Sequence, residues 1–269
     1  MELSRDSLGY INLDKLGIAK IDNLFAIDSF SFNYNNERYF FKKIKSIDQS
    51  YNELIGYELA KDFGLDAIEY DLGSYYGFIG FISKDYSKKE YRYLESYINS
   101  YYGSYSKRNN IHDVSIMFHD IFSELDANNI MNDLYKLLMF DIIIANSDRH
   151  DRNIIIESST LRLGPVFDNE MLLNRDYYFS FSVTGKDDNT ISEFLSILNP
   201  QELEFFVNKL EIINRDNLIK VFNRIEKKIG TSIVDGIKEE VLQRYSVYYE
   251  YLNRVIKMIR GNRFLLDNK

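Results

Sequence analysis

What most limits how this chain can fold is a change of hydrophobic period near Asp85 to Lys89. Before it, apolar residues fall in short pieces punctuated by Gly; after it, they recur every three or four residues over long stretches. A period of two suits strands with one buried face, and a period of 3.6 suits helices with an apolar stripe, so the two regions cannot share one regular architecture. The order of the pieces predicts an α+β protein with its strands gathered at the amino-terminal end.

In the first region, Gly17 to Phe25, Phe30 to Tyr34 and Arg38 to Lys45 read as strand pieces, the last two flanking Asn35-Asn36, a pair that favours a tight hairpin turn. Asp48 to Phe63 then takes helical spacing, with Leu54, Ile55, Leu59 and Phe63 on one face and Gly64 as a C-terminal stop. Ile68 to Leu72 and Tyr76 to Ile82 read as two more strands separated by Gly73-Ser74. The expectation is a small sheet with one helix inserted after its third or fourth strand. Beyond Lys88 the predicted helices are Ile111 to Leu125, Met131 to Ala145, Ile191 to Ile197, Pro200 to Lys209, Arg215 to Ile229 and Ser232 to Arg260. Between them, Asn153 to Ile156 and Leu161 to Val166 read as short strands joined by Ser158-Ser159.

Composition removes several chemistries. None of the 269 residues is Cys, which excludes disulfides, cysteine nucleophiles and thiolate metal sites. His occurs only at His112, His119 and His150, without an H-E-x-x-H, so a metal here is expected to be a hard, oxygen-bound cation such as magnesium. The net charge of -8 argues against nucleic acid as the main partner. The opening MELSRDSLGYINLDKLG lacks the basic start and apolar core expected of a signal peptide, and no apolar run approaches the roughly 18 residues of a membrane span. A cytoplasmic protein is expected, with secretion as an effector still open.

The most specific signal is Asp141 to Leu173, DIIIANSDRHDRNIIIESSTLRLGPVFDNEMLL. Asp148 stands five residues before Asn153 in a polar loop after an apolar helix, and Asp168 follows the second short strand. Phosphoryl transfer needs such a set: one carboxylate to take or orient the proton of an attacking hydroxyl, an amide oxygen and a second carboxylate to hold magnesium over phosphates. A D-x4-N loop followed by a second Asp is how the kinase fold supplies them.

NSDRHDRNIII followed by LGPVFDN resembles the T-D-x-H-x-x-N loop and P-x-[YF]-D metal motif of the HipA-like Ser/Thr kinases, a bacterial branch of the kinase fold that includes toxins of toxin–antitoxin systems and secreted kinases. It is also similar to the D-R-H-x-x-N of phosphoinositide kinases. The resemblance implies two lobes, a small, mostly β N-lobe over residues 1–86 and a larger, mostly α C-lobe over residues 87–269. It implies ATP and Mg2+ as cofactors and a protein Ser or Thr hydroxyl as acceptor. Asp148 would be the catalytic base, Asn153 and Asp168 the metal ligands, and His150 and Arg152 supports of the loop. Lys42, ending Tyr39-Phe40-Phe41-Lys42, would bind phosphate and be held by Glu53 of Asn52-Glu53, the pair that precedes Ala60, Gly64 and Leu65 as in the family's N-E and A-x-x-x-G-[LI] pattern. Lys43 and Lys45 stand close by, where a slip of one residue exchanges sheet faces, and Glu58 is an alternative partner. Ile79 to Lys84, with Ile82 near its centre, resembles the segment joining the lobes, whose backbone would receive the adenine.

One element departs from the family. The phosphate-covering loop, rich there in Gly, Ser, Ala and Gln, has no counterpart in composition; Gly17 to Asn23 and Asp28 to Ser31 are the segments in its position. The chain also starts too near the nucleotide-binding strands for the extra amino-terminal subdomain of full-length HipA toxins, so it resembles the shorter members. An antitoxin or a small accessory protein is a compatible partner. A lipid or small-molecule kinase and a non-catalytic pseudokinase are the alternatives.

Other motifs carry less. Thr184-Gly185-Lys186 fails as a P-loop, because Ser180 stands for its first Gly and Asp187 for its Ser or Thr; Tyr177 to Asn189 reads instead as an activation-segment analogue in which Ser180, Ser182 and Thr184 are candidate phosphorylation sites. The tyrosines of Tyr91 to Lys107 read as a partly solvated helical face, and His112 and His119 as ordinary polar residues. With no G-x-S-x-G, serine hydrolysis has no foothold.

Overall fold

Asn35 and Asn36 both adopt left-handed backbone, φ 50° and 62°, the conformation a two-residue hairpin turn demands. They join β3 (Ser29–Tyr34) to β4 (Glu37–Lys43) in an antiparallel register that sets Phe30 opposite Phe41. In the computed structural model, residues 5–6, 9–18, 20–22, 29–44, 47–86, 90–103, 111–146, 148–169, 171–173, 204, 208 and 214–266 are described.

The hairpin belongs to a six-stranded sheet completed by β1 (Ile11–Asn12), β2 (Lys20–Asp22), β5 (Tyr70–Tyr75) and β6 (Phe78–Lys84), in the order β1-β5-β6-β4-β3-β2. Among its described pairings, β1 with β5 is the parallel one and the others are antiparallel. Strand alternation divides its side chains between two cores. Phe30, Phe32, Phe41 and Ile82 join Ile11 and Leu13 on the outer face. Tyr70, Leu72 and Phe81 face the other way, into the main core with α1 (Ile47–Asp62), the helix inserted after the fourth strand. The β5–β6 turn lies at Tyr76-Gly77, φ 45° and 77°, not at Gly73-Ser74. Gly73 is instead a strand interior where an added Cβ would come within 2.7 Å of Ile82.

A predominantly helical region follows. Besides α2 (Leu94–Tyr102), it contains α3 (Ile111–Ile121), α4 (Glu124–Ile144), α5 (Arg215–Ile229) and α6 (Thr231–Leu266). The helix expected to reach Leu125 ends at Ile121, and Ser123 caps the next, which starts at Glu124, with its hydroxyl accepting from the Asp126 N–H at 3.3 Å. That start lies seven residues before Met131, because Ala127 and Ile130 are already buried. Tyr91 to Tyr93, read as helix, form β7, which pairs with β8 (Ile155–Glu157); β9 (Arg162–Leu163) completes this small sheet. The helices expected at Ile191 to Ile197 and Pro200 to Lys209 lie outside the described residues apart from Glu204 and Asn208.

α4 is central, with Leu134, Leu138, Phe140, Ile143 and Ile144 all buried. Phe140 meets Phe63, just past α1, edge to face at 5.3 Å, so sheet, α1 and helical region share one core. No described helix is long and apolar enough to cross a membrane.

Gly80 tests the sheet packing. A Cβ there would meet the Lys42 carbonyl oxygen at 2.2 Å and the Phe41 ring at 2.8 Å. Gly80→Ala is expected to lose about 1–3 kcal/mol in urea unfolding; an unchanged midpoint would contradict this register.

Candidate active site

α4 stops where Ala145 turns left-handed, φ 51°, and the following loop folds back on itself. Buried Asn146 organises it, its Oδ1 accepting from the Asp148 N–H and its Nδ2 donating to Asp141, both at 3.3 Å. Asp148 is thereby left exposed. His150 caps the short 3-10 turn Asp151–Asn153, with Nδ1 accepting from the Arg152 N–H at 3.2 Å. The buried Asn153 donates through Nδ2 to the Asp148 carbonyl at 2.9 Å, which leaves Oδ1 as the end of the amide able to meet a cation.

Between Asp148 and His150, Arg149 turns inward and is 1% exposed. Nε and Nη2 clasp Asp141 at 3.0 and 3.1 Å. Nη1 donates to the carbonyls of Asn153, at 3.3 Å, and Phe167. Nη2 also donates to Asn169 Oδ1 at 2.7 Å, so five hydrogen bonds match the five N–H groups of a guanidinium. Burial opposes its charge, but the Asp141, Asp168 and Glu53 carboxylates outweigh that penalty and raise the Arg149 pKa above its ordinary value. Burial pushes the fully enclosed Asp141 carboxyl up, and the facing guanidinium pulls it back.

The second acidic residue, Asp168, is itself left-handed, φ 60°. Such a backbone is uncommon outside Gly and is kept only where the surroundings fix it. Here α1 does so from the other side. Glu53, buried, accepts the Asn169 N–H at 2.9 Å, and Asn52 donates to the Leu172 carbonyl at 3.2 Å. Gly56 lies against Asn169, where a Cβ would come within 2.5 Å of the Asn169 Cβ; this close approach explains a Gly in mid-helix, a position otherwise about 1 kcal/mol worse than Ala. Burial raises the Tyr70 phenol well above its ordinary range, so it remains a neutral partner for the Asp168 backbone. Among the described residues, the Asp148 and Asp168 carboxylates enter no hydrogen bond or ion pair.

Neither a protein-family model nor a curated protein matches the sequence. Solved structures do. The proinflammatory kinase CtkA of Helicobacter pylori aligns over 91% of this chain and 99% of its own, with a TM-score of 0.71 and 20% identity. The fold is that of the HipA-like kinases. HipA of Shewanella oneidensis MR-1, from its complex with HipB and operator DNA, aligns with a TM-score of 0.57 and 15% identity; the match covers 89% of this chain and 66% of that one.

Within this HipA-like fold, Arg149 ties together the segments bearing Asp148, Asn153 and Asp168, the three residues singled out by spacing. Among the described residues no three His, Cys, Asp or Glu side chains converge as a metal site. One Asn, one Asp and phosphate oxygens would suit magnesium, which commonly uses only one or two carboxylates. The Arg152 side chain is 67% exposed, with Glu95 4.0 Å away, whereas Arg149 is the arginine hydrogen-bonded inside the loop. Ile82 lies in mid-strand between Phe41 and Asp71, its side chain in the outer core beside a cavity of about 200 Å³ lined also by Tyr39 and Lys84. Its backbone belongs to the sheet.

Lys42 shares the inner face with Phe81, its ammonium 5.4 Å from that ring, whereas Lys43 lies over Phe78 on the outer face. Glu58 pairs with Lys228 of α5 at 3.5 Å. His119 is an exposed residue whose Nδ1 lies 2.7 Å from the Ser115 carbonyl oxygen. Lys45 and the segment 177–189 lie outside the described residues; of the two segments expected to cover the phosphates, Lys20–Asp22 is strand β2 and residues 29–31 open strand β3, while 19, 23 and 28 lie outside the described residues. Arg149, Asp141 and Asn169 escaped notice in the sequence, yet Asp141 is a lone carboxylate in the apolar run MFDIII, a pattern that signals a buried cationic partner.

Arg149→Met leaves Asp141 buried without its cation and is expected to cost about 3–5 kcal/mol, whereas Arg152→Met should stay within about 0.5 kcal/mol of wild type. Chemical denaturation of both variants checks this; equal losses would contradict the assignment of Arg149 as the buried hub.

Proposed function

We propose that the chain is an ATP- and Mg2+-dependent Ser/Thr protein kinase of HipA-like type, with residues 1–86 as N-lobe and 87–269 as C-lobe. The observation that carries the reading is the arrangement around Arg149: an exposed Asp148 carboxylate, an Asn153 whose amide nitrogen is already engaged, and a left-handed Asp168. Asp148 receives or orients the proton of the acceptor hydroxyl. Asn153 Oδ1 and the Asp168 carboxylate would hold magnesium, which when bound would neutralise phosphate charge. Lys42, on the inner face, neutralises the nucleotide phosphates. Glu53 contributes by holding the metal loop through the Asn169 N–H, and His150 keeps the catalytic turn capped. In a protein of net charge -8, a polyanion has to be held by such local cations.

The likeness to HipA, crystallised with HipB, supports extending the proposal to a toxin role with an antitoxin as partner. Growth arrest on expression of wild type but not of Asp148→Asn tests that extension.

For the chemistry itself, Asp148→Asn is expected to melt with wild type and to lose phosphoryl transfer by about 10²- to 10⁴-fold, the usual contribution of a general base. Label transfer from γ-labelled ATP, read beside a thermal melt, checks it. A stable variant with near wild-type transfer would overturn the role of Asp148.

A further inference from the structure

Satisfying Asp141 occupies only two of the five Arg149 hydrogen bonds. The other three go to the Asn153 carbonyl, the Phe167 carbonyl next to Asp168, and the Asn169 side chain on its other flank. A guanidinium is a rigid plane with donors at fixed angles, so residues bonded to it around its edge are held at a set spacing. Two of those residues flank Asp168, and the third is Asn153 itself. We propose that Arg149 is a positioning residue that pre-forms the metal site, setting the separation of Asn153 and Asp168 before a cation arrives.

This inference rests on the proposed metal-binding roles of Asn153 and Asp168 and adds what fixes their geometry. Asn169 shows how narrowly the position is defined. Its amide is completely buried, its Oδ1 faces Arg149, and among the described residues its Nδ2 has no hydrogen-bond partner. Glu53 holds the same residue by its N–H. The metal loop is therefore fixed between α1 and Arg149, while the catalytic loop is fixed by Arg149 and Asn146. A lysine at position 149 would preserve the charge facing Asp141, but an ammonium with three donors cannot span the same five contacts.

The test measures metal binding apart from catalysis. Mn2+ is titrated with ATP and the purified full chain, and free Mn2+ is followed by electron paramagnetic resonance. Two variants are used. Arg149→Lys keeps the charge, and the double variant Asp141→Asn/Arg149→Met removes both charges so that no carboxylate is left buried alone. Each is expected to unfold cooperatively, to bind ATP without metal as wild type does, and to bind Mn2+ with ATP about 10- to 100-fold more weakly, the usual effect of losing a partner that orients metal ligands. The magnesium concentration for half-maximal transfer should rise in parallel. A folded variant with wild-type Mn2+ affinity would overturn the positioning role while leaving the kinase reading intact. Failure of both variants to fold would also overturn it, by reducing Arg149 to a core residue. No Mn2+–ATP binding by wild type would instead sink the kinase reading and this inference together.

Discussion

A buried ion pair, Arg149 with Asp141, is the interaction on which the site depends. Such pairs are poor sources of net stability, because desolvating two charges offsets most of their attraction. What this one supplies is geometry. Asp141 is fixed in the buried last turns of α4, and it anchors a guanidinium whose remaining donors reach Asn153 in its own loop and the distant segment carrying Phe167 and Asn169. The α4 core thereby determines where Asp148, Asn153 and Asp168 stand, although all three lie in loops.

α1 is the complementary constraint. One of its faces lines the main core with Tyr70, Leu72 and Phe81 of the sheet. From the same helix, Asn52, Glu53 and Gly56 hold or receive the segment from Asn169 to Leu172. The inner sheet face bearing Lys42 and the loop bearing Asp168 are thus referenced to one helix. Close approach at Gly56 and the Glu53 hydrogen bond both fix Asn169, next to Asp168, against α1.

Spacing in the sequence singles out Asp148, Asn153 and Asp168, and the structure ties the segments bearing them together through Arg149. The hairpin at Asn35-Asn36 and the limits of α5 were legible from residue type: Asn tolerates left-handed backbone, and Asn214 and Gly230 bracket the helix. Arg149 and Arg152 could not be distinguished, since in an irregular loop no period says which side chain turns inward. Gly73 was misread as a turn because a Gly required by close packing and one required by positive φ look alike in sequence. Lys42 and Lys43 needed the β4–β6 register, and β7 was hidden because three residues are too few to reveal a period.

The central claim is that this geometry serves a metal-bound nucleotide. Calorimetric titration of ATP into the protein, with and without magnesium, tests it most directly. The account predicts saturable binding that tightens when magnesium is present. No heat of binding for ATP with magnesium would contradict it.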